Sequence, residues 1–530
     1  MYKLSNVLKF PNVWNHIDKL HTLTPLNISE CEKLCDTISS KLYQVIGDPS
    51  KLVAACLKLS STSNVKKNLY LQLKRGLITS LKELEVVDSI IALEALGNFY
   101  CKGFNVQNLP NLLYKNLLVS KKIRQLNICY VPKLLESLRR FNIENTQLIA
   151  EIEKIIKCNS QKLNLDHNLS VQLLKNLCIV APAYKLLLNN ISNIIFTRHA
   201  NVLRINDIIE CYHCLSKADY YPSFSDKIDQ LFISRFCELT DDNLLQLLHC
   251  YSLHYARTTT ILKKIVARLH HIITSIPTDS AIDIIYNLYK LRIYDQSIVN
   301  SVNVKILSAE FDKLDAKHLI NYITAITYFK VNNLEIYNKV LPQITRHLTH
   351  LKKDGITQLK IVELAIRFGH VPNIYNRLSE SSMHLFHLVG DCVDIVERFD
   401  TSNFQKQVGE AALFIYYKLN TEVKIGPFMV DYATPMSVND MYNINNYRTN
   451  DKDINPEINT NGVIIEVDGP RHFYKNSHTY TCHSIVKDEI LKLMGYRVVH
   501  VKYFEWDKLP NLVDKQNYLL QLITETISQS

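Results

Sequence analysis

The chain has 530 residues, 47% of them apolar and 21% charged, with a net charge of +10. That length exceeds one ordinary hydrophobic core, so two or more units are expected, and the composition excludes a disordered polymer. No run of about 18 uncharged apolar residues occurs, so no membrane-spanning helix is expected, and the thirteen irregularly spaced cysteines do not make the framework of a secreted disulfide scaffold.

Residues 1–10 carry lysines, and no acid precedes Asp18, which gives residues 1–30 a weak organelle-targeting character without the usual arginines. Residues 31–420 then read as a helical array. Apolar residues recur at helical period, broken by short Asn, Ser, Pro or Thr-Asp punctuation, and only eight of the twelve glycines fall before residue 421. One apolar phrase returns at 208–215, 244–251, 281–288 and 318–325. Weaker copies end at Leu57, Leu96, Leu138 and Leu177, and a later one at Ala365. Successive ends lie 36 to 42 residues apart, enough for two helices and two turns. Such a unit cannot bury its own apolar face, so neighbours must stack into an α-solenoid of helix-hairpin repeats. Helix starts are marked by Thr240-Asp-Asp-Asn243, Pro277-Thr-Asp279 and Asp315. Second helices are predicted over 258–273, 298–311 and 333–348.

A solenoid presents one helix of each pair along a continuous surface. Arg139, Arg140, Arg257, Lys263, Lys264 and Arg268 are candidates to line it, because helical repeats can read RNA with a few side chains per repeat. A solvated outer face is the plainer reading for any one of them. Cys211 and Cys214, flanking Tyr212 and His213, have half the spacing of a zinc site, but no second pair matches and packed helix cysteines explain them.

The pattern changes after residue 420. Residues 421–461 hold a short strand carrying Asp431 and then a polar loop at 439–461. The run Val463-Ile-Ile-Glu-Val-Asp468 reads as a buried strand ending at the Gly469-Pro470 turn, followed by Arg471 and His472. Side chains alternate across a strand, so Glu466 and Asp468 share a face. Two carboxylates there are costly unless a cation, a donor or water offsets their repulsion. An amphipathic helix over 484–494 ends at Gly495, a buried strand follows at 496–503, and a closing helix covers 511–527. Strand, strand, helix, strand, helix makes a small α/β domain with a mixed sheet, and the whole chain is mainly α.

This order resembles the core of restriction-endonuclease-like nucleases. There an Asp on one strand and an acid-x-Lys on the next hold Mg²⁺ and activate water. Asp431 and Glu466 match the acids, whereas the expected lysine is Asp468, as in Vsr-type endonucleases. A closer resemblance spans 425–525. Val430-Asp-Tyr-Ala433, Ile465-Glu-Val-Asp-Gly-Pro-x-His-Phe473, Lys487, Leu491, Gly495-Tyr-x-Val-Val499 and Tyr503-x-Glu-Trp506 together are similar to the RAP domain, an RNA-binding domain abundant in apicomplexans. The resemblance implies an endonuclease-like fold preceded by helical repeats of the heptatricopeptide or octotricopeptide kind. It also implies an organellar RNA-binding protein acting in RNA processing, stability, translation or ribosome assembly. Its expected seat is the mitochondrial matrix, with the plastid second. Its expected partners are organellar rRNA or mRNA, the organellar ribosome and other repeat proteins.

Three readings follow. As an RNA binder, the chain would use Arg471, His472, Lys487, Arg497 and Trp506 beside the repeat arginines, with Tyr496, Tyr503 and Phe504 as further rings. As a metal-dependent ribonuclease, it would hold Mg²⁺ on Asp431, Glu466 and Asp468, with His472 and Lys487 assisting. As a scaffold, it would bind protein along the repeats. A purely structural role for the acids is that Asp468 caps its turn and Glu466 pairs with Arg471 or Lys487.

Overall fold

The computed structural model describes residues 11–22, 28–62, 65–119, 122–161, 166–257, 259–348, 351–392, 401–414, 420–433 and 462–528. The polar loop expected at 439–461, and part of the expected import segment, lie outside them. The chain forms two compact units, Met1–Arg235 and Phe236–Ser530.

Each unit is built from stacked helical hairpins. In the first, alternate helices pack on one another in series: Pro49–Ser60, Val86–Cys101, Val131–Phe141, His167–Val180 and Ile205–Lys217. In the second the series is Asp241–His254, Thr278–Lys290, Ala316–Tyr328 and Lys353–Arg367. The intervening helices of the second unit include Thr259–Ile272, Gln296–Leu307 and Leu334–Thr345, close to the predicted second helices. Thr240 and Asn243 form a reciprocal capping box, and Asp315 accepts the His318 N–H at 2.8 Å. Pro277 stands at the expected start without a capping side chain. Among the described residues no helix is long and apolar enough to cross a membrane.

One turn sets the repeat register. After seven of these nine helices the chain takes a left-handed residue, and the next N–H bonds back to a carbonyl five residues earlier, which satisfies an otherwise orphaned acceptor; Pro49–Ser60 and His167–Val180 end without it. In the first unit, Phe104, Ile143 and Tyr220 donate to Phe99, Leu138 and Leu215 at 3.0–3.1 Å. In the second, Ala256, Ile293, Val331 and His370 donate to Tyr251, Leu288, Ile326 and Ala365 at 2.8–3.0 Å. Five predicted repeat ends are therefore these acceptors. Leu96 and Ala325 are corrected to Phe99 and Ile326. A Leu/Ile phrase can slide along an apolar helix, whereas the closing bond cannot.

The C-terminal sheet has four strands in the order β1 (Asn420–Ile425), β2 (Phe428–Ala433), β3 (Val463–Asp468) and β4 (Arg497–Lys502). The β1–β2 and β2–β3 pairs are antiparallel, and β3–β4 is parallel. The helix Cys482–Leu493 makes the crossover that a parallel pair requires. β1 was not predicted. It is an edge strand whose Asn-Thr-Glu start is exposed, so no apolar alternation marks it.

Alternation along β3 divides the core. Val463, Ile465 and Val467 join Val499, Val501 and Trp506 against Val408, Ala411, Leu519 and Ile523. Ile464 faces the other way, with Val498, Ile490 and Leu491, against Ala365 and Leu364 of the last repeat helix. Gly409 lets Tyr432 in: a Cβ there would lie 2.5 Å from the Tyr432 hydroxyl, which bonds the Gln405 carbonyl at 2.7 Å.

The same repeat turns seat this domain within the second unit. The left-handed residues of the first unit include Gly103, Asn142 and Asp219, which tolerate that conformation well. Those of the second include Tyr255, Arg292 and Lys330, which pay about 1 kcal/mol of backbone strain each. All three touch the C-terminal domain. The Tyr255 carbonyl accepts the Lys475 N–H at 2.9 Å, the Arg292 guanidinium donates to the Tyr480 carbonyl at 3.0 Å, and Lys330 pairs with Glu489 at 3.1 Å.

Candidate functional site in the C-terminal domain

The site forms on the face of β3 that carries Glu466 and Asp468, toward the C-terminal ends of two parallel strands. Both side chains are buried, and the predicted shared face holds. Asp431 lies on β2, where the β2–β3 ladder ends, and its carboxylate accepts the Val467 N–H at 2.7 Å.

The acids divide into two groups. In the first, Lys487 bridges Glu466 Oε2 at 2.7 Å and the Met429 carbonyl at 2.6 Å. Glu466 Oε1 is buried without a hydrogen-bond partner among the described residues. Burial raises the Glu466 carboxyl, with Lys487 opposing and Asp431 and Asp468 adding to the rise. Burial likewise raises Asp431, against the Val467 N–H and Lys487.

In the second group Asp468 accepts from three side chains: His472 Nδ1 at 3.0 Å, His500 Nδ1 at 2.7 Å and the Tyr480 hydroxyl at 2.8 Å. The other nitrogen of His500 meets Asp488 Oδ1 at 2.9 Å, and Lys492 holds Asp488 at 2.8 Å. Both ring nitrogens of His500 face carboxylates, so both carry protons. Burial opposes that charge, yet hydrogen bonds to Asp468 and Asp488 raise His500 to about 9. Burial would raise Asp468, but the bonds from His472 and His500 overturn it and hold the carboxyl well below its usual range.

The predicted Asp431–Glu466–Asp468 set is thus split: Asp468 turns to histidines and Glu466 to a lysine. Among the described residues no three His, Cys, Asp or Glu side chains are grouped to hold a metal ion. The three acids therefore do not fit a shared Mg²⁺ site in this arrangement. The cluster is built to bury compensated charge and to carry a fixed imidazolium. His500, Asp488 and Tyr480 were not singled out from the sequence. The available signal was His500 itself, a polar residue in the apolar run Val498-Val499-His500-Val501.

The predicted RNA-contacting residues are dispersed. Arg471 is exposed and His472 half-buried beside the cluster. Arg497 begins β4 opposite Val463, at the far end of the sheet from Asp468. Trp506 is corrected to a core residue: it is 1% exposed and donates to Gln407 at 3.1 Å. Tyr496 is also buried, whereas Tyr503 and Phe504 are half-exposed. Exposed His478 stacks on Phe504 with centroids 3.8 Å apart. In the repeats, Arg139 and Arg140 end a first helix and bond Glu136, while Lys263, Lys264 and Arg268 sit on the second helix Thr259–Ile272, so these cations do not share one helix row. Exposed Arg257 follows the helix Asp241–His254. Cys211 is buried in its helix, and burial raises its thiol, as expected of a packing cysteine.

A mixed four-stranded sheet with an acid-lined face, set on helical hairpins, defines the class of this region. Its family follows from comparison: residues 465–522 match the RAP domain, so the chain carries an RNA-binding type of domain at its C-terminal end. No curated protein matches the chain.

Proposed function

We propose that this chain is an organellar RNA-binding protein that acts in RNA processing, stability, translation or ribosome assembly, with the mitochondrial matrix as its seat. The observation that carries the reading is the RAP domain match at residues 465–522. The net charge of +10 and exposed groups such as Arg471 and the His478–Phe504 stack support it. Lysine and arginine contacts to phosphate give a salt-dependent affinity, and exposed rings accept bases. Crosslinking in cells, followed by sequencing of the attached RNA, is expected to enrich a few discrete organellar transcripts or rRNA segments. Recovery no greater than from uncrosslinked cells would reject the reading.

A hydrolytic reading has one observation in its favour: Glu466 Oε1 is buried, unpartnered among the described residues, and close enough to Asp431 for that carboxylate to add to the rise of the Glu466 carboxyl. Under this reading the recovered RNA is cleaved by the purified chain, and Glu466→Gln lowers the rate at least about 100-fold, the scale of losing a catalytic acid–base group. Uncleaved RNA, or equal rates in both proteins, would remove it.

A further inference from the structure

In the first unit the second helix Lys67–Thr79 buries Leu69, Leu73 and Leu77. On its other side Lys67, Leu71, Lys74, Arg75 and Ile78 stand at i, i+4, i+7, i+8 and i+11, which is one face of a helix. These five line a groove of about 610 Å³ between that helix and the turn after Val86–Cys101, where Lys102 adds a fourth cation.

No Asp or Glu lines this groove, and among the described residues Lys67, Lys74, Arg75 and Lys102 form no ion pair. Neighbouring lysines do: Lys51, Lys58 and Lys66 are held by Asp48, Asp18 and Asp36. Lys74 is only 9% exposed, and its ammonium is fixed in the groove wall by two neutral acceptors, the Asn105 carbonyl at 3.0 Å and Gln107 Oε1 at 2.9 Å. An ammonium has three N–H donors, so one is left for a ligand. Lys102 bonds the Ser60 and Thr62 carbonyls, again without a carboxylate. Lysines bond turn carbonyls elsewhere in the array, as Lys185 does to Ala218 and Asp219. What distinguishes this groove is that four cations share it with no acid to offset their field, which draws a negatively charged partner.

The apolar part of the lining decides what kind of anion fits. Its rings pack on one another: Tyr70, Phe99 and Phe104 have centroids 4.8–5.5 Å apart, and the Tyr70 hydroxyl bonds the Asn105 carbonyl at 2.9 Å. They make a small core rather than a platform for bases. The exposed apolar groups are aliphatic, Leu71 at 37% and Ile78 at 46%. A nucleic-acid strand or an inorganic anion would meet the cations and leave these two in water. An amphipathic helix serves both: its apolar row covers Leu71 and Ile78, and the carboxylates flanking that row meet Lys67, Lys74, Arg75 and Lys102. Lys67 to Ile78 spans about 17 Å at the helical rise, the length of three turns of such a partner.

We propose that the groove between Lys67–Thr79 and the turn after Val86–Cys101 is a docking site for an acidic amphipathic helix of a protein partner, independent of the RNA-binding reading above. The test begins with the full, unmodified chain in cell extract. Carbodiimide treatment joins a lysine amine directly to a carboxylate in contact with it, and mass spectrometry reads the peptides attached at Lys67, Lys74 and Lys102. The expected attachment is a segment in which Asp or Glu flanks apolar residues spaced three and four apart. That segment, synthesised with a fluorescent label, is expected to bind the full chain. Arg75→Glu and Ile78→Asp are each expected to weaken it about tenfold, the effect of losing one charged or apolar anchor. Both positions are exposed, so the fold is expected to survive either change. Lys217→Glu, a charge reversal on the exposed surface of another repeat, is expected to bind as the unmodified chain does. No partner carboxylate attached at any of the three lysines would overturn the proposal. So would a segment without this acidic, amphipathic pattern, or one that binds all three variants equally. Displacement of the segment by short single-stranded RNA, with both groove variants impaired in RNA binding, would make the occupant nucleic acid and overturn it as well.

Discussion

Asp468→Ala is expected to destabilise the C-terminal domain by about 3–5 kcal/mol, the cost of breaking a buried ion pair from one side. The side chain is 1% exposed and receives His472, His500 and Tyr480. Its removal leaves a buried imidazolium with Asp488 as its remaining carboxylate. The pH dependence follows from the same pair. His500 is raised from 6.5 to about 9, so its stabilisation is complete below pH 6.5 and is lost as pH climbs through about 9. Asp468 is depressed below 3.8, so its share is present above that pH and is lost only in stronger acid. Thermal denaturation from pH 6 to 10 is therefore expected to show a melting point that falls on the alkaline side. His500→Gln should melt lower at neutral pH and lack that alkaline fall. A pH-independent melt of the unmodified chain over this range would contradict the charged-pair account. Equal alkaline slopes in both proteins would assign the fall to another group.

Trp506→Ala is expected to cost about 3–5 kcal/mol, as for other large buried aromatic truncations. The indole packs against Phe404 and Tyr518 and lies under the Lys515 ammonium, 5.2 Å from the ring. Trp506→Phe keeps much of this volume and should cost about 1–2 kcal/mol. At a temperature where both are folded, the Phe variant should bind RNA as the unmodified chain does. A folded Phe variant that had lost RNA binding would restore the stacking role that burial argues against. Chemical denaturation followed by an RNA titration separates the two outcomes.

How far the fold was legible depended on whether a feature was local. Helical period, the Thr240–Asn243 capping box and the Asp315 cap act within one or two turns, and they placed the repeat helices. The acids of β3 were read correctly as sharing a face because strand alternation needs no neighbour. Their partners were not legible. Lys487 was one of two named candidates for Glu466, whereas His500 reaches Asp468 through the parallel β3–β4 pairing, and Asp488 reaches His500 from the crossover helix. The strand β1 escaped because an exposed edge strand is held by backbone bonds that leave no side-chain pattern.

Periodicity and motif alone thus established a mainly helical chain of stacked hairpins, a small mixed-sheet domain after them and its resemblance to RAP domains. These are properties of neighbouring residues, whose spacing along the chain is also their spacing in the element. Tertiary structure alone decided the repeat register, the burial of Trp506, the division of the acids between a lysine and two histidines, and the use of Tyr255, Arg292 and Lys330 to seat the domain. Each of these depends on groups distant in sequence meeting in a low-dielectric interior. There a charge keeps whichever partner the packing brings within hydrogen-bond reach, and sequence separation carries no information about that distance.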